Sequence, residues 1–381
     1  MASQTIIPPD TAIPFELVNK HIVIDVRAGG RPLSFILDTG DKYAVIDLDR
    51  AKELGMRLGR AVQAVGAGAQ SSTGAFLEDS TFTIPGMPGF SQPLTLALPL
   101  NNLSPRLGRN LDGIIGADFI RQFVVELDYP AKMIRLHGKD AFKYSGPGES
   151  MPVELNPADH PVVEAELTPI GGEPIKGKFV LDIGSGGPLA LYSPFAESHH
   201  LPGPDVKTIR GLAGGGTGGQ VTGQTGRVAQ LRIGNFKLNH PIAFFSEDKA
   251  GAFASSAIAG NIGEQVLSRF KVYLDYSNNR VILEPNSTFG NAFDSMSSGL
   301  RIEAEGKDYK RFRIKEILGN SPASEAGFRE NDVIDAIDGK PASEFTLSAV
   351  VEMFERPVRY RLAVRRGQQT LEVTLTPRTL L

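Results

Sequence analysis

Phe35-Ile36-Leu37-Asp38-Thr39-Gly40 returns 144 positions later as Phe179-Val180-Leu181-Asp182-Ile183-Gly184. Each copy is a short apolar run that ends in one carboxylate and passes at once into glycine. A buried strand ending this way delivers its Asp into a tight turn on rigid backbone, with little around it to block a substrate. Two such turns facing each other make a carboxylate pair.

Outward from these acids the landmarks recur in order. Ile114-Ile115-Gly116 is matched by Asn261-Ile262-Gly263, and Leu127-Asp128-Tyr129 by Leu274-Asp275-Tyr276. From acid to second glycine the chain runs 78 positions in the first copy (38 to 116) and 81 in the second (182 to 263). From that glycine to the Leu-Asp-Tyr acid it runs 12 in both (116 to 128 and 263 to 275). Three residues of slack fit in one loop, so duplication is a better account than coincidence.

Within the first copy, His21 to Val26 reads as a strand turned by Gly29-Gly30 into the Phe35–Asp38 strand. A short helix is expected at Asp49–Leu54. Val62 to Phe76 carries Gly66, Gly68 and Gly74 and reads as a mobile hairpin rather than a packed element; Gly211 to Gly226 is its counterpart. Strands follow at Thr81–Ile84, Leu94–Leu98, Phe123–Tyr129 and Met133–Leu136, with a short helix through Ile120. Residues 1 to about 14 read as a loose arm, and Lys139 to Met151 and the stretch from Pro285 to Gly299 as linkers. The expected units are 15–140, 150–287 and 298–381, in keeping with a length of 381 residues.

Composition narrows the chemistry. A formal charge of −3 gives no basic field for nucleic acid. Without cysteine there is no disulfide, thiolate catalysis or Cys-based zinc site. No apolar run is long enough to span a bilayer. Lack of cysteine suits an oxidising compartment, so a periplasmic or secreted location is expected, with no signal peptide in the sequence itself. Gly214-x-Gly216-x-x-Gly219 spells a dinucleotide fingerprint but has no helix after it, and belongs to the second hairpin. His199-His200 lacks partners at metal-ligand spacing, and no Gly-x-Ser-x-Gly elbow occurs.

Asp38-Thr39-Gly40 with Ile114-Ile115-Gly116 resembles the signature of retropepsin-like aspartic proteases, and the second copy resembles the same motif, degraded. The resemblance spans roughly residues 15 to 285. It implies a mainly β chain: two β-barrel lobes forming an intramolecular pseudo-dimer, Asp38 and Asp182 catalytic between them, and a monomer needing no cofactor or metal. Thr39, Gly40, Ile183, Gly184, Gly116 and Gly263 would support the dyad. By the same resemblance Gly66, Gly68, Gly74, Gly214, Gly216 and Gly219 belong to flaps that close on an extended peptide. The sequence departs from the family at Ile183, where a hydroxyl is usual, and at Asp41, where a small residue is usual.

Beyond residue 298, Ser321-Pro322-Ala323-Ser324-Glu325-Ala326-Gly327-Phe328 with Asn331-Asp332-Val333-Ile334 and Ile337-Asp338-Gly339 resembles a PDZ domain of the kind attached to bacterial proteases. That implies an α+β module. A peptide would add beside its first strand, with the peptide carboxylate on the Gly299-Leu300-Arg301-Ile302 loop and the helix from Leu347 lining the groove. Two functions stay open: an aspartic endopeptidase, or an inactive peptide-binding protein on the same scaffold.

Overall fold

The computed structural model describes residues 11–381 except 69, 79–80, 88–89, 92–94, 217 and 294–295. Its centre is a six-stranded sheet shared by both repeats, in the order Thr11–Pro14, Met133–His137, Val124–Asp128, Phe270–Asp275, Arg280–Pro285, Glu149–Pro152. The two Leu-Asp-Tyr segments form its middle pair. Their antiparallel register sets Val125 against Leu274 and Leu127 against Val272. Because Leu127 and Leu274 are equivalent positions of the repeat, exchanging the copies leaves this pairing unchanged, as a local twofold requires. One buried core runs through both halves and includes Ile13, Leu127, Phe179 and Leu274.

Flanking this sheet, each half builds its own lobe with one arrangement. Arg31–Leu37 runs parallel to Gly113–Ile115, which lies antiparallel to Ala44–Asp47, itself parallel to Thr95–Leu98. In the second half Ile175–Leu181, Gly260–Ile262, Leu189–Leu191 and Ile242–Ser246 repeat these relations. The chain is thus mainly β, with two lobes of one topology joined through the shared sheet as an intramolecular pseudo-dimer. Among the described residues, no helix is long and apolar enough to cross a membrane.

Two expectations are corrected. Thr11–Pro14, expected in a loose arm, is an edge strand paired with Met133–His137, its Thr11 and Ile13 buried; Pro14 is tolerated because an edge has no second neighbour to bond. The end of the expected first linker falls in the strand Glu149–Pro152, which closes the opposite edge. The two glycine-bearing hairpins are present as expected, Leu58–Val65 paired with Ser71–Leu77 and Ile209–Gly216 with Gly219–Arg227.

The third unit has a separate core of Ile302, Phe312, Ile334, Val350 and Phe354 among others. Its sheet runs Leu300–Glu305, Arg311–Ile317, Val333–Ile337, Tyr360–Arg366, Gln369–Leu375. Ser321 starts the Pro322–Glu325 helix with a capping box, and Thr346 Oγ1 accepts from Ala349 N at 3.2 Å to start Leu347–Phe354. Met296–Ser297, expected in a linker, instead pairs with Arg378–Thr379.

Glu264 is 3% exposed at the start of the Glu264–Leu267 turn, and burial pushes its carboxyl up to about 7. A carboxyl raised in the folded state favours folding below its ordinary value of 4.5 and forfeits that contribution as pH rises through about 7. The shift is worth about 3 kcal/mol at 1.36 kcal/mol per pH unit. Glu264→Gln is therefore expected to raise the midpoint of thermal unfolding at pH 8 and leave it nearly unchanged at pH 4.5; equal effects at both pH values would show that the buried charge is not the cause.

Candidate active site

The repeated strand pairs carry the two acids to the lobe boundary. Asp38 N donates to Ile115 O at 3.0 Å and Asp182 N to Ile262 O at 2.9 Å, so each acid is anchored to the parallel strand of its own lobe. Glycine at 40 and 184 is then a packing requirement. A Cβ on Gly40 would lie 3.0 Å from Oδ1 of both Asp38 and Asp182, and one on Gly184 would fall 2.0 Å from Asp38 Cγ. The two carboxyls thus flank one small space, each with its Oδ1 against Gly40. The acids meet within one chain, with no second copy needed.

Gly116 and Gly263 act beneath this pair. A Cβ on Gly116 would sit 2.6 Å from Tyr43 O and 2.7 Å from Asp41 O, and one on Gly263 2.2 Å from Gly187 O. Only glycine lets the Gly113–Ile115 and Gly260–Ile262 strands turn this close under the acid-bearing loops.

Thr39 joins the lobes. Its Oγ1 donates to Leu181 O at 2.5 Å and accepts from Ile183 N at 2.9 Å, and the side chain is fully buried. Ile183, equally buried, has no hydroxyl to make the reciprocal pair. One half of a two-sided clasp is present.

The electrostatics are those of three crowded acids. Burial raises Asp38, which is held back by donors on Gly40, 2.6 Å from its Oδ1, and on Gly184. Burial, then the charges of Asp38 and Asp41, raises Asp182 well above the usual range. Asp41 itself is pushed up to about 8 by burial and by Asp38. At about 4 Å and an effective dielectric of 20, repulsion between two carboxylates is about 4 kcal/mol, enough to retain a proton on the pair.

The repeat breaks at Asn261, which stands where the first lobe has Ile114. Asn261 Nδ2 donates to Asp182 Oδ2 at 2.5 Å, and its Oδ1 accepts from Tyr192 OH at 2.6 Å. Tyr192 in turn stacks on Phe253, ring centres 4.8 Å apart. A polar Asn261 at the position where the first copy has the apolar Ile114 is the sequence signal for this contact. An amide donor favours the ionised carboxyl, whereas a neighbouring negative charge disfavours it. Asn261→Leu is therefore expected to move the titration of the Asp38–Asp182 pair upward by about one pH unit, and Asp41→Ser to move it downward. Shifts of the same sign in an NMR titration of the carboxyls would contradict this geometry.

The two hairpins meet at their tips. Gln70 N donates to Gly218 O at 2.8 Å and Gly218 N to Ala67 O at 3.0 Å, which joins one lobe to the other over the cleft. Gly66 and Gly68 lie in the first tip, Gly216 and Gly219 flank the second, and Gly214 is on the strand leading into it. Gly74 is not at a tip. It sits within Ser71–Leu77, where a Cβ would lie 2.1 Å from Ala97 O, so its role is close strand packing. A cavity of about 580 Å³ lies elsewhere, between Arg227, Lys237, Arg269 and Phe293. Among the described residues, no group of three or more His, Asp or Glu is arranged to hold a metal ion.

At the expected peptide-end site of the third unit, Gly299 N donates to Ser297 Oγ at 3.0 Å and Leu300 N to Ser298 Oγ at 3.1 Å. These donors, expected for a ligand carboxylate, are engaged within the loop. Arg301 pairs with Glu316 at 3.0 Å, and Ile302 is in the core.

Residues 24–119 match the family model for aspartyl protease, and residues 294–365 match that for the PDZ domain. A curated relative, serine protease HTRA1 of Xenopus laevis, is 33% identical over 67 residues, or 18% of this chain. The chain spans only 14% of that protein's length. Among solved structures, basic 7S globulin from soybean is similar at a TM-score of 0.46 and 9% identity, over 74% of this chain and 97% of its own.

Proposed function

We propose that this chain, which joins an aspartyl protease-like lobe and its repeat to a PDZ domain, is an aspartic endopeptidase acting through Asp38 and Asp182. The observation that supports this reading is the convergence of the two carboxyls across the lobe boundary, with Oδ1 of both Asp38 and Asp182 3.0 Å from where a Cβ on Gly40 would lie. A pair holding one proton offers an acid and a base at once. The ionised carboxyl takes a proton from water as its oxygen attacks the amide carbonyl carbon, and the protonated one donates to the carbonyl oxygen. On collapse, the leaving nitrogen takes a proton from one carboxyl while a hydroxyl of the gem-diol returns its proton to the other, so the C–N bond breaks, the new carboxylic acid forms and the pair again holds one proton. No covalent intermediate is involved. The peptide lies under the joined hairpins, which must part to admit it. The PDZ domain takes a polypeptide end and brings the remainder toward the cleft.

Ile183 favours a second reading, a peptide-binding protein that has lost turnover, because half the clasp is missing. The two are separated by incubating the chain with a library of unstructured peptides between pH 4 and 7, with and without a statine-type peptide. Cleaved products that disappear on saturable statine binding support the peptidase; saturable binding with no cleavage at any pH supports the binder.

A further inference from the structure

The PDZ groove is framed by the edge strand Leu300–Glu305 and the helix Leu347–Phe354. In this structure the first lobe lies over it. The Ser104–Leu107 turn packs on Leu300–Glu305, and Arg106 Nε reaches Glu303 at 3.4 Å. A Cβ on Gly108 would lie 2.5 Å from that of Leu347, so bare backbone rests on the first residue of the groove helix. Asn19 N donates to Ser348 Oγ at 3.2 Å, and Lys20 pairs with Glu355 at 3.0 Å along the same helix. Tyr309 OH donates to Asn110 Oδ1 at 3.0 Å beyond the strand. With the Gly299 and Leu300 N–H groups engaged by serines, neither the groove nor its end is open to a ligand.

This covering segment also bears on the second-lobe hairpin. Arg106 Nη1, buried without a hydrogen-bond partner, lies where a Cβ on Gly215 would be 2.8 Å away. Asn102 Nδ2 donates to Gly216 O at 3.5 Å. The PDZ domain touches the hairpin directly as well, since a Cβ on Gly211 would sit 2.9 Å from Leu318 Cδ2. The hairpin tip is in turn bonded to Ala67 and Gln70 of the other lobe. Groove, cover and flap are therefore one contiguous set of contacts, along which a change at one can bias the others.

We propose that the segment from Asn102 to Asn110 is an internal cover of the PDZ groove, and that a polypeptide end entering the groove displaces it and frees the second-lobe hairpin to open. The salt bridge to Glu303 makes a basic residue on the incoming strand the natural replacement for Arg106. The inference rests on the peptidase reading only where turnover is measured.

The test uses the full chain. Glu303→Arg breaks the cover from the PDZ side, away from the hairpin, and Lys20→Glu breaks a second edge; Glu303→Arg with Arg106→Glu restores attraction. Amide hydrogen exchange is followed in Leu300–Glu305, Ser104–Leu107 and Ile209–Gly216. Exchange in all three is expected to rise together by about fivefold or more in either single variant and to fall back in the charge swap. Faster exchange at the groove with an unchanged hairpin would overturn the coupling, and no loosening of the cover in either single variant would overturn the cover itself. Where the wild type cleaves peptides, Glu303→Arg is expected to cleave them about fivefold faster. A wild type without cleavage, but with exchange rising in all three segments, would retire the peptidase reading and leave this inference standing.

Discussion

Asp38→Asn and Asp182→Asn are each expected to lower peptide cleavage by about a thousandfold or more while making the folded chain more stable at neutral pH. The first effect follows from the shared proton. With residue 38 an amide, Asp182 keeps the Asn261 donor at its Oδ2 but has lost the carboxyl with which it divides the roles of acid and base. With residue 182 an amide, Asp38 keeps the donors of Gly40 and Gly184 and is left in the same condition. Positioned general acids and bases contribute about 10²- to 10⁴-fold, and each variant disables one partner and uncouples the other.

The second effect fixes the interpretation. Asp38, Asp41 and Asp182 are all raised in the folded chain, so each costs stability as pH climbs from the ordinary carboxyl range toward neutrality. Replacing one by Asn removes a buried charge and a like-charge repulsion together. A variant that is inactive and unfolds at a higher temperature near pH 7 has lost chemistry, not structure. Full turnover in either variant would place the activity elsewhere in the chain.

What the sequence made legible was whatever duplication repeats. The apolar runs before Asp38 and Asp182 are strands because they are buried on both faces, and the glycines after them are required by the other lobe's carboxyl. The Leu-Asp-Tyr segments were recognisable as landmarks, but their pairing across the twofold depends on a symmetry that no local pattern encodes. Thr11–Pro14 was hidden because a four-residue edge strand with a terminal proline has almost no periodicity of its own. Gly74 lies in the expected hairpin, but its packing role was hidden for a related reason: glycine marks close backbone approach as well as turns, and only the sheet reveals Ala97 O beside it. Tyr192 and Arg106 were invisible because their partners lie 69 and 197 positions away, and a lone Tyr or Arg carries no signal of which distant group it meets.

Thr39→Val is expected to lower folding stability by about 3 kcal/mol and to reduce turnover with it. Valine matches threonine in shape, so the cavity term is small; the loss is the hydroxyl. Its removal leaves Leu181 O without the 2.5 Å bond and Ile183 N without the 2.9 Å bond, both at the buried lobe boundary. An orphaned buried backbone group costs about 1–3 kcal/mol, and two are created at once. Against a total stability of about 5–15 kcal/mol this is a large fraction. The strain falls where the two acid loops are held in register, so turnover should decline even in molecules that remain folded. The missing half of the clasp supplies the counter-experiment. By the repeat, a hydroxyl at position 183 would face the first lobe as Thr39 faces the second, so Ile183→Thr in the Thr39→Val background should recover part of the loss. Recovery is partial because burying a threonine in place of isoleucine forgoes about 1 kcal/mol of apolar transfer. Denaturant unfolding of the two single variants and the double variant measures the coupling. Additive losses, with no recovery in the double variant, would mean that the lobes are aligned by the six-stranded sheet alone and that the Thr39 bonds are incidental to it.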